Sequence, residues 1–247
     1  MLFRSFQFGA ATALNFTTTQ TGVTIEDGAT VTTTASAGGV FTLGTNGQTF
    51  TSSGTAAVTV TGGTGADNIT VGSTGGSTIT ASNGIDTITL TNSTGVDRVG
   101  VSAAVANRDV VTGFSATNDI IVLSAAATTA ATAAAATPVV QAVNAAANTV
   151  LNNAADVTVF NFDQGGTTSV LAGVLDGAAL IANTGTFTVG AANNVGYIVA
   201  YDNSNAFVYA YNAGADTNVT ADEILLIGTF NGLATAALGV ANFALIA

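Results

Sequence analysis

Between residues 22 and 123 apolar β-formers recur at Ile25, Val31, Phe41, Phe50, Val60, Ile69, Ile79, Ile88, Val99, Val110 and Ile120, with most steps nine to eleven residues long. Gly, Asn, Asp, Ser and Thr, the residues of tight turns, fill the spaces between them. Each apolar position sits in a short alternating run, such as Val58-Thr-Val60 or Thr87-Ile-Thr89. Alternation over so few residues predicts very short strands with one face buried. Such strands are unstable alone and become stable when stacked as the coils of a solenoid.

The pattern changes after residue 123. Residues 124–156 are rich in Ala and Thr, with Pro138 ahead of Val139 to Leu151. Ala favours helix and Pro suits its first turn, so a linker followed by a helix at 139–151 is predicted. From Val157 the strands lengthen. Thr158-Val-Phe160-Asn-Phe162 alternates, and Ser169 to Ile181 reads as a helix. Gly196–Tyr201 and Ala206–Tyr211 flank Asp202-Asn-Ser-Asn, a hairpin signal. Ala221 to Phe230 is the last clear strand. The predicted fold is all-β: a parallel β-roll or β-solenoid, an Ala-rich helical linker, and a C-terminal antiparallel β-domain. The divisions are an N-terminal arm or cap (1–16), the solenoid (17–123), the linker (124–156) and the β-domain (157–247). Phe3, Phe6, Phe8 and Phe16 are expected to cap the solenoid's core.

Composition narrows the chemistry. Of 247 residues, 48% are hydrophobic and only 7% charged, so the surface must be polar through Thr, Ser and Asn. The absence of His and Cys excludes a Ser-His-Asp triad, a cysteine nucleophile and an ordinary zinc or copper site. Arg4, Arg98 and Arg108 are the only cations, against 14 acids, for a net charge of −11. No nucleic-acid backbone or anionic lipid is an expected partner, and no window reads as a membrane-spanning helix. Hard cations want oxygen ligands, which puts calcium first. Glu26/Asp27 and Asp222/Glu223 are adjacent acids. On strands they would face opposite ways, which argues against a catalytic carboxylate pair. No catalytic constellation is found, and the chain is not expected to be an enzyme.

The most regular part of the array spans residues 62–100. Gly62-Gly63-Thr64-Gly65-Ala66-Asp67-Asn68-Ile69-Thr70 fits G-G-x-G-x-D-x-U-x at every fixed place. Gly72 to Thr80 follows with Ser77 in the Asp position. Ala81 to Thr89 keeps Gly84, Asp86 and Ile88, and Asn92 to Gly100 keeps Gly95, Asp97 and Val99. Residues 60–123 resemble the RTX superfamily of calcium-binding, type I-secreted proteins, and 107–123, with Asp109, Phe114 and Asp119, are similar to the segment that closes such rolls. Tyr197 to Phe230 resembles the β-domain that follows RTX repeats in secreted, self-assembling bacterial proteins, and the apolar tail from Val240 resembles their uncleaved secretion signal. The same tail also reads as a last core strand.

The resemblance implies two nonapeptides per coil. Asp67 and Asp86 would then share one edge, and Ser77 and Asp97 the other. It implies calcium at Gly63, Gly65, Asp67, Asn83, Gly84, Asp86 and Asp97, and more weakly at Asp109 and Asp119. The Ser77/Asp97 edge, one carboxylate short, is expected to bind less well. Asp27, Asp163 and Asp202 are read as turn residues that bond their own backbone. The implied function is a calcium-stabilised extracellular structural protein, a homo-polymer forming an S-layer, surface filament or matrix fibre. The alternatives are a calcium-dependent adhesin or module binding cell-surface polysaccharide and, further off, an ice-binding solenoid. Tyr197, Tyr201, Tyr209 and Tyr211 allow a sugar-stacking platform but more commonly stabilise a sheet.

Overall fold

A computed structural model describes residues 4–7, 12–26, 31–91, 94–102, 107–124, 138–144, 149–151, 156–164, 170–172 and 176–246. The chain divides into two compact units, Met1–Ser102 with Ala106–Ile121, and Ala103–Val105 with Val122–Ala247.

The first unit is a parallel β-solenoid. Its strands are β1 (Arg4–Gln7), β2 (Thr12–Phe16), β3 (Gln20–Glu26), β4 (Val31–Ala35), β5 (Gly39–Thr42), β6 (Thr49–Ser52), β7 (Val58–Thr61), β8 (Asn68–Val71), β9 (Thr78–Thr80), β10 (Thr87–Leu90), β11 (Arg98–Gly100) and β12 (Asp109–Thr112). β13 (Ile120–Ser124) follows. Odd strands β1 to β11 lie side by side in one sheet and even strands β2 to β12 in another, so each coil contributes one strand to each. Register is kept across coils. Phe50, Ile69, Ile88 and Val111 form one fully buried column, and Phe41, Val60, Ile79 and Val99 another. The polar residue between two apolar ones faces out, as in the exposed Thr59 between Val58 and Val60. Phe16, Phe41 and Phe50 stack at centroid spacings of 5.5 and 5.0 Å and fill the early coils. Arg4–Gln7 and Thr12–Phe16 are strands of the solenoid, since β1 pairs with β3 and β2 with β4 in parallel. Phe3 and Phe8 lie outside the described residues.

The second unit holds β14 (Val140–Val143), β15 (Thr149–Leu151), β16 (Val157–Asp163), α1 (Ala178–Thr184), β17 (Phe187–Val189), β18 (Val195–Asp202), β19 (Asn205–Asn212), β20 (Asn218–Val219), β21 (Ile224–Asn231) and β22 (Phe243–Ile246). β18, β19 and β21 form an antiparallel meander, extended by the parallel pairs β16–β18 and β14–β16. The predicted hairpin forms. Asn203 (φ 49°) and Ser204 (φ 61°) both adopt the left-handed conformation that a two-residue type I′ connection requires. Leu151, Phe160, Leu171, Leu180, Phe187, Tyr209 and Tyr211 belong to the core of this unit.

Two helix expectations are corrected. Within the predicted helix 139–151, Val140–Val143 and Thr149–Leu151 are strands, paired in parallel with β16 and β17. Val140 and Val143 are β-branched, and tertiary pairing outweighs the helix preference of the surrounding Ala. The helix expected over 169–181 occurs later and shorter, as α1. The rest of the Ala-rich linker, 125–137, lies outside the described residues. The tail forms a strand, as one of its two readings expects: Phe243 and Leu245 of β22 are buried.

Candidate metal centre

Asp67, Asp86 and Asp109 stand where a turn enters β8, β10 and β12. Asn68 pairs with Thr87 and Thr87 with Val110, so the three acids stack in one column. Thr78 pairs with Arg98, which puts Ser77 and Asp97 together on the opposite edge. The spacing rule therefore identifies both edges. Asp109 and Asp119, expected to be marginal, are full members of the two columns.

Every carboxylate performs the same backbone task. Asp67 Oδ1 accepts the Gln48 amide at 2.7 Å, Asp86 Oδ1 the Asp67 amide at 2.6 Å, and Asp109 Oδ1 the Asp86 amide at 3.0 Å. On the other edge Ser77 Oγ accepts the Val58 amide at 3.2 Å, Asp97 Oδ1 the Ser77 amide at 2.7 Å, and Asp119 Oδ1 the Asp97 amide at 2.9 Å. Each side chain thus satisfies a turn amide one coil earlier, a donor that would otherwise be buried without a partner. Ser77 continues the ladder with a neutral oxygen. Its hydroxyl also meets that of Ser73 at 3.1 Å, which in turn meets that of Ser52 at 3.2 Å.

The second carboxylate oxygens separate the members. Asp67 Oδ2 accepts the Gly63 amide at 3.0 Å, and Asp119 Oδ2 the Ser115 amide at 2.8 Å. Asp86 Oδ2 and Asp109 Oδ2 are buried and accept from no amide or hydroxyl. Burial raises the Asp86 carboxyl to about 6; the Asp67 amide opposes the rise, the Asp67 charge adds to it, and a hydrogen bond with the Asp109 carboxyl opposes it. Burial likewise raises Asp109 to about 8; the Asp86 amide opposes the rise, and the charges of Asp86 and Asp67 and the hydrogen bond with the Asp86 carboxyl add to it. Asp67 and Asp119 are raised by burial and held back by the amides they accept. Stacked carboxylates at the ~4.8 Å spacing of neighbouring strands repel unless a proton or a cation lies between them.

The glycines pack one turn against the next. A Cβ on Gly63 would overlap the Gly44 carbonyl, and one on Gly65 the backbone at Asn46 and Gly47. Gly84, at φ +112°, would meet the Gly65 carbonyl. Asn83 is only a neighbour of the column: its Oδ1 accepts from Asn107 Nδ2 at 2.8 Å, and Asn107 Oδ1 accepts the Gly84 amide at 3.1 Å. The Gly63 carbonyl accepts the Asn83 amide at 3.1 Å. Asn107 has no counterpart in the nonapeptide pattern, and only the register reveals it.

The donor set is all oxygen, which suits a hard cation such as calcium and excludes a soft one. Among the described residues no group of three or more acidic side chains surrounds one point suitable for a metal ion. Asp86 and Asp109 would hold the ion through their second oxygens, and backbone carbonyls would complete its shell.

The other sequence candidates resolve differently. Asp202 is buried, and its Oδ2 accepts the Val170 and Leu171 amides, both at 2.6 Å, so it ties down a segment distant in sequence and not its own turn. Asp163 belongs to β16, opposite Tyr201, and Asp27 lies outside the described residues. Asp222 and Glu223 are not on a strand. They occupy a 3-10 turn, Ala221–Glu223, and both accept the Thr220 hydroxyl, at 2.7 and 2.9 Å. Glu223 also accepts the Gly214 and Thr220 amides, both at 2.8 Å. These bonds lower both carboxyls: the Thr220 hydroxyl contributes most for Asp222 and the Thr220 amide most for Glu223. The two acids cap a turn. The four tyrosines are buried, so none offers a ring for sugar stacking. Comparisons with protein-family models, curated proteins and solved structures found no match.

Proposed function

We propose that this chain is a calcium-stabilised structural protein of the bacterial cell exterior that assembles with copies of itself into a layer or fibre. The observation that carries the proposal is the pair of buried oxygens on Asp86 and Asp109 that no amide or hydroxyl engages, one coil apart in a column of three carboxylates. A hard cation there would neutralise the repulsion and lock adjacent coils. The donor bonds move the expected centre one coil along, from Asp67/Asp86 to Asp86/Asp109, because the Gly63 amide already engages the second oxygen of Asp67.

One feature supports assembly. Among the described residues β1 and β2 are the terminal strands of their sheets, an open edge that strand addition from another copy would cover. Contact between one end of a subunit and another surface is heterologous and propagates. Export by a C-terminal uncleaved signal accompanies this reading. Titration of the purified chain with calcium, followed by far-UV circular dichroism and negative-stain microscopy, tests it. Expected are a gain of ordered strand with an affinity of ~10⁻⁴–10⁻³ M, and polymers that dissolve in chelator. A monomer with identical spectra in calcium and in chelator overturns it.

One observation favours a second reading. Thr34, Thr51, Thr70, Thr89 and Thr112 fall in a single register column on the outer face of the even-strand sheet. Such an array orders water, and an assay of ice recrystallisation checks it directly.

A further inference from the structure

The chain holds three Asn-Gly pairs, Asn46–Gly47, Asn83–Gly84 and Asn231–Gly232, and two Asp-Gly pairs, Asp27–Gly28 and Asp176–Gly177. In such a pair the glycine nitrogen can attack the preceding side-chain carbonyl carbon, because no Cβ hinders it and the backbone can swing the two together. The attacking form is the deprotonated amide, so a glycine N–H held in a hydrogen bond is protected. Asp27–Gly28 lies outside the described residues, and the other four pairs differ in that bond.

Three of the four glycine amides are held. The Gly84 amide donates to Asn107 Oδ1 at 3.1 Å, and Asn107 Nδ2 donates to Asn83 Oδ1 at 2.8 Å, so both reacting groups are engaged. The Gly177 amide donates to the Ala221 carbonyl at 2.8 Å, and the Gly232 amide to Asn205 Oδ1 at 3.2 Å. The Gly47 amide has no acceptor among the described residues, and the Asn46 side chain has no partner among them. Asn46 is exposed. Exposure does not separate the pairs, since Asn83 is exposed as well; the hydrogen bonds do.

We propose that Asn46 is a site of spontaneous covalent modification in the folded chain, through a succinimide formed with Gly47. Hydroxide or water takes the Gly47 amide proton. The nitrogen bonds to Asn46 Cγ, and the side-chain Nδ2 leaves as ammonia, its last proton supplied by solvent. Water then opens the ring. Addition at Cγ restores the ordinary peptide link and gives an aspartyl residue; addition at the main-chain carbonyl carbon gives an isoaspartyl residue whose peptide link runs through Cγ. Either product carries one new negative charge, and no oxidant or reductant takes part.

The turn carries the consequence. The Gln48 amide, two residues on, is the donor to Asp67 Oδ1. The backbone between Asn46 and Gly47 is packed on the next coil: a Cβ on Gly65 would overlap the Gly47 nitrogen and the Asn46 carbonyl carbon, and one on Gly47 would overlap the Ala66 carbonyl. An isoaspartyl link adds a methylene to the backbone where not even a Cβ fits, so it pulls the Gln48 amide away from Asp67. The site does not depend on whether the column holds calcium.

The full chain is incubated folded, in chelator at mildly alkaline pH, then digested, and the three Asn-Gly peptides are followed by mass spectrometry. The Asn46 peptide should exchange its amide for an acid, and split into aspartyl and isoaspartyl forms of equal mass, at least about tenfold faster than the Asn83 and Asn231 peptides. In urea the three rates should converge. Asn107→Ala, which removes the acceptor from the Gly84 amide, should raise the Asn83 rate several-fold and leave Asn46 unchanged. Hydrogen exchange at the Gln48 amide should quicken in the isoaspartyl chain. Equal rates at the three pairs of the folded chain, or a slower rate at Asn46 than at Asn83, overturn the proposal. So does an Asn83 rate that Asn107→Ala does not move.

Discussion

The two edges of the solenoid have the same hydrogen-bond ladder but different charge. On one, Asp67, Asp86 and Asp109 place three carboxylates in consecutive coils. On the other, Ser77 puts a neutral hydroxyl beneath Asp97 and Asp119. Both edges satisfy the same turn amides, so the ladder does not require charge. What the first edge adds is electrostatic: Asp86 and Asp109 carboxyls raised chiefly by burial, with neighbouring charges adding to the rise, and two oxygens that no amide or hydroxyl engages. An acid that served only the amide could be replaced by Ser, as position 77 demonstrates.

The largest test of the comparison concerns turn packing. Gly63→Ala drives a Cβ into the Gly44 carbonyl and should cost more than about 3 kcal/mol in urea unfolding. Gly75→Ala, at the opposite edge, approaches Thr55 O at 2.6 Å and should cost about 1–2 kcal/mol. Equal losses would mean that the edges are packed alike.

Asp86→Ala and Asp97→Ala come next. Each leaves one buried amide unpaired, of Asp67 or Ser77, so in chelator both should lose about 1–3 kcal/mol. In calcium they should part: Asp86→Ala abolishes the calcium-induced gain in strand signal and Asp97→Ala retains most of it. Parallel loss of the gain in both would refute the assignment to one edge.

Ser77→Asp converts the second edge toward the first. The new carboxylate should lower stability in chelator by about 1 kcal/mol and enlarge the stabilisation by calcium. A variant more stable than the parent in chelator would show that charge is not what separates the edges.

A separate test is the pH dependence of the metal-free chain. Folded-state carboxyls at about 6 and about 8 bind protons more tightly than an unfolded carboxyl does. Their contribution is present in full below the unfolded value and is lost as pH rises through the folded values. The thermal midpoint in chelator should therefore fall between pH 5 and about pH 8.5, and Asp86→Asn should flatten the slope. A midpoint that rises over this window contradicts the proton-holding column.

Legibility in the sequence followed the nature of the interaction. The 19-residue offset from Asp67 to Asp86 and the 20-residue offset from Ser77 to Asp97 each match one coil, so spacing alone placed them on opposite edges. Asp109 and Asp119 were harder to place, at 23 and 22 residues from their predecessors, because extra residues enter the turns before them. The Asn83–Asn107 bond was invisible for the same reason. The hairpin at Asn203 and Ser204 was legible because two left-handed residues are a local requirement. The strand at Val140–Val143 was not, because its partner lies 17 residues away, and Ala content says nothing about an available sheet edge. Asp222 and Glu223 were misplaced because a 3-10 turn of three residues has no periodicity to read.

The amino-acid pattern by itself determined the parallel solenoid, its two inward apolar columns and the partition of the acids between edges. These follow from a repeat length, and a repeat length is a property of the chain. Tertiary structure decided which carboxylate oxygens find a donor. Asp67 has the Gly63 amide within 3.0 Å, while Asp86 and Asp109, with the same residue type in the same column, have none. That difference depends on turn conformations and coil register a few tenths of an ångström deep. The same holds for the Tyr211 ring packed over Gly196, because strands distant in sequence bring Asp156 and Tyr211 to either side of a residue without a side chain.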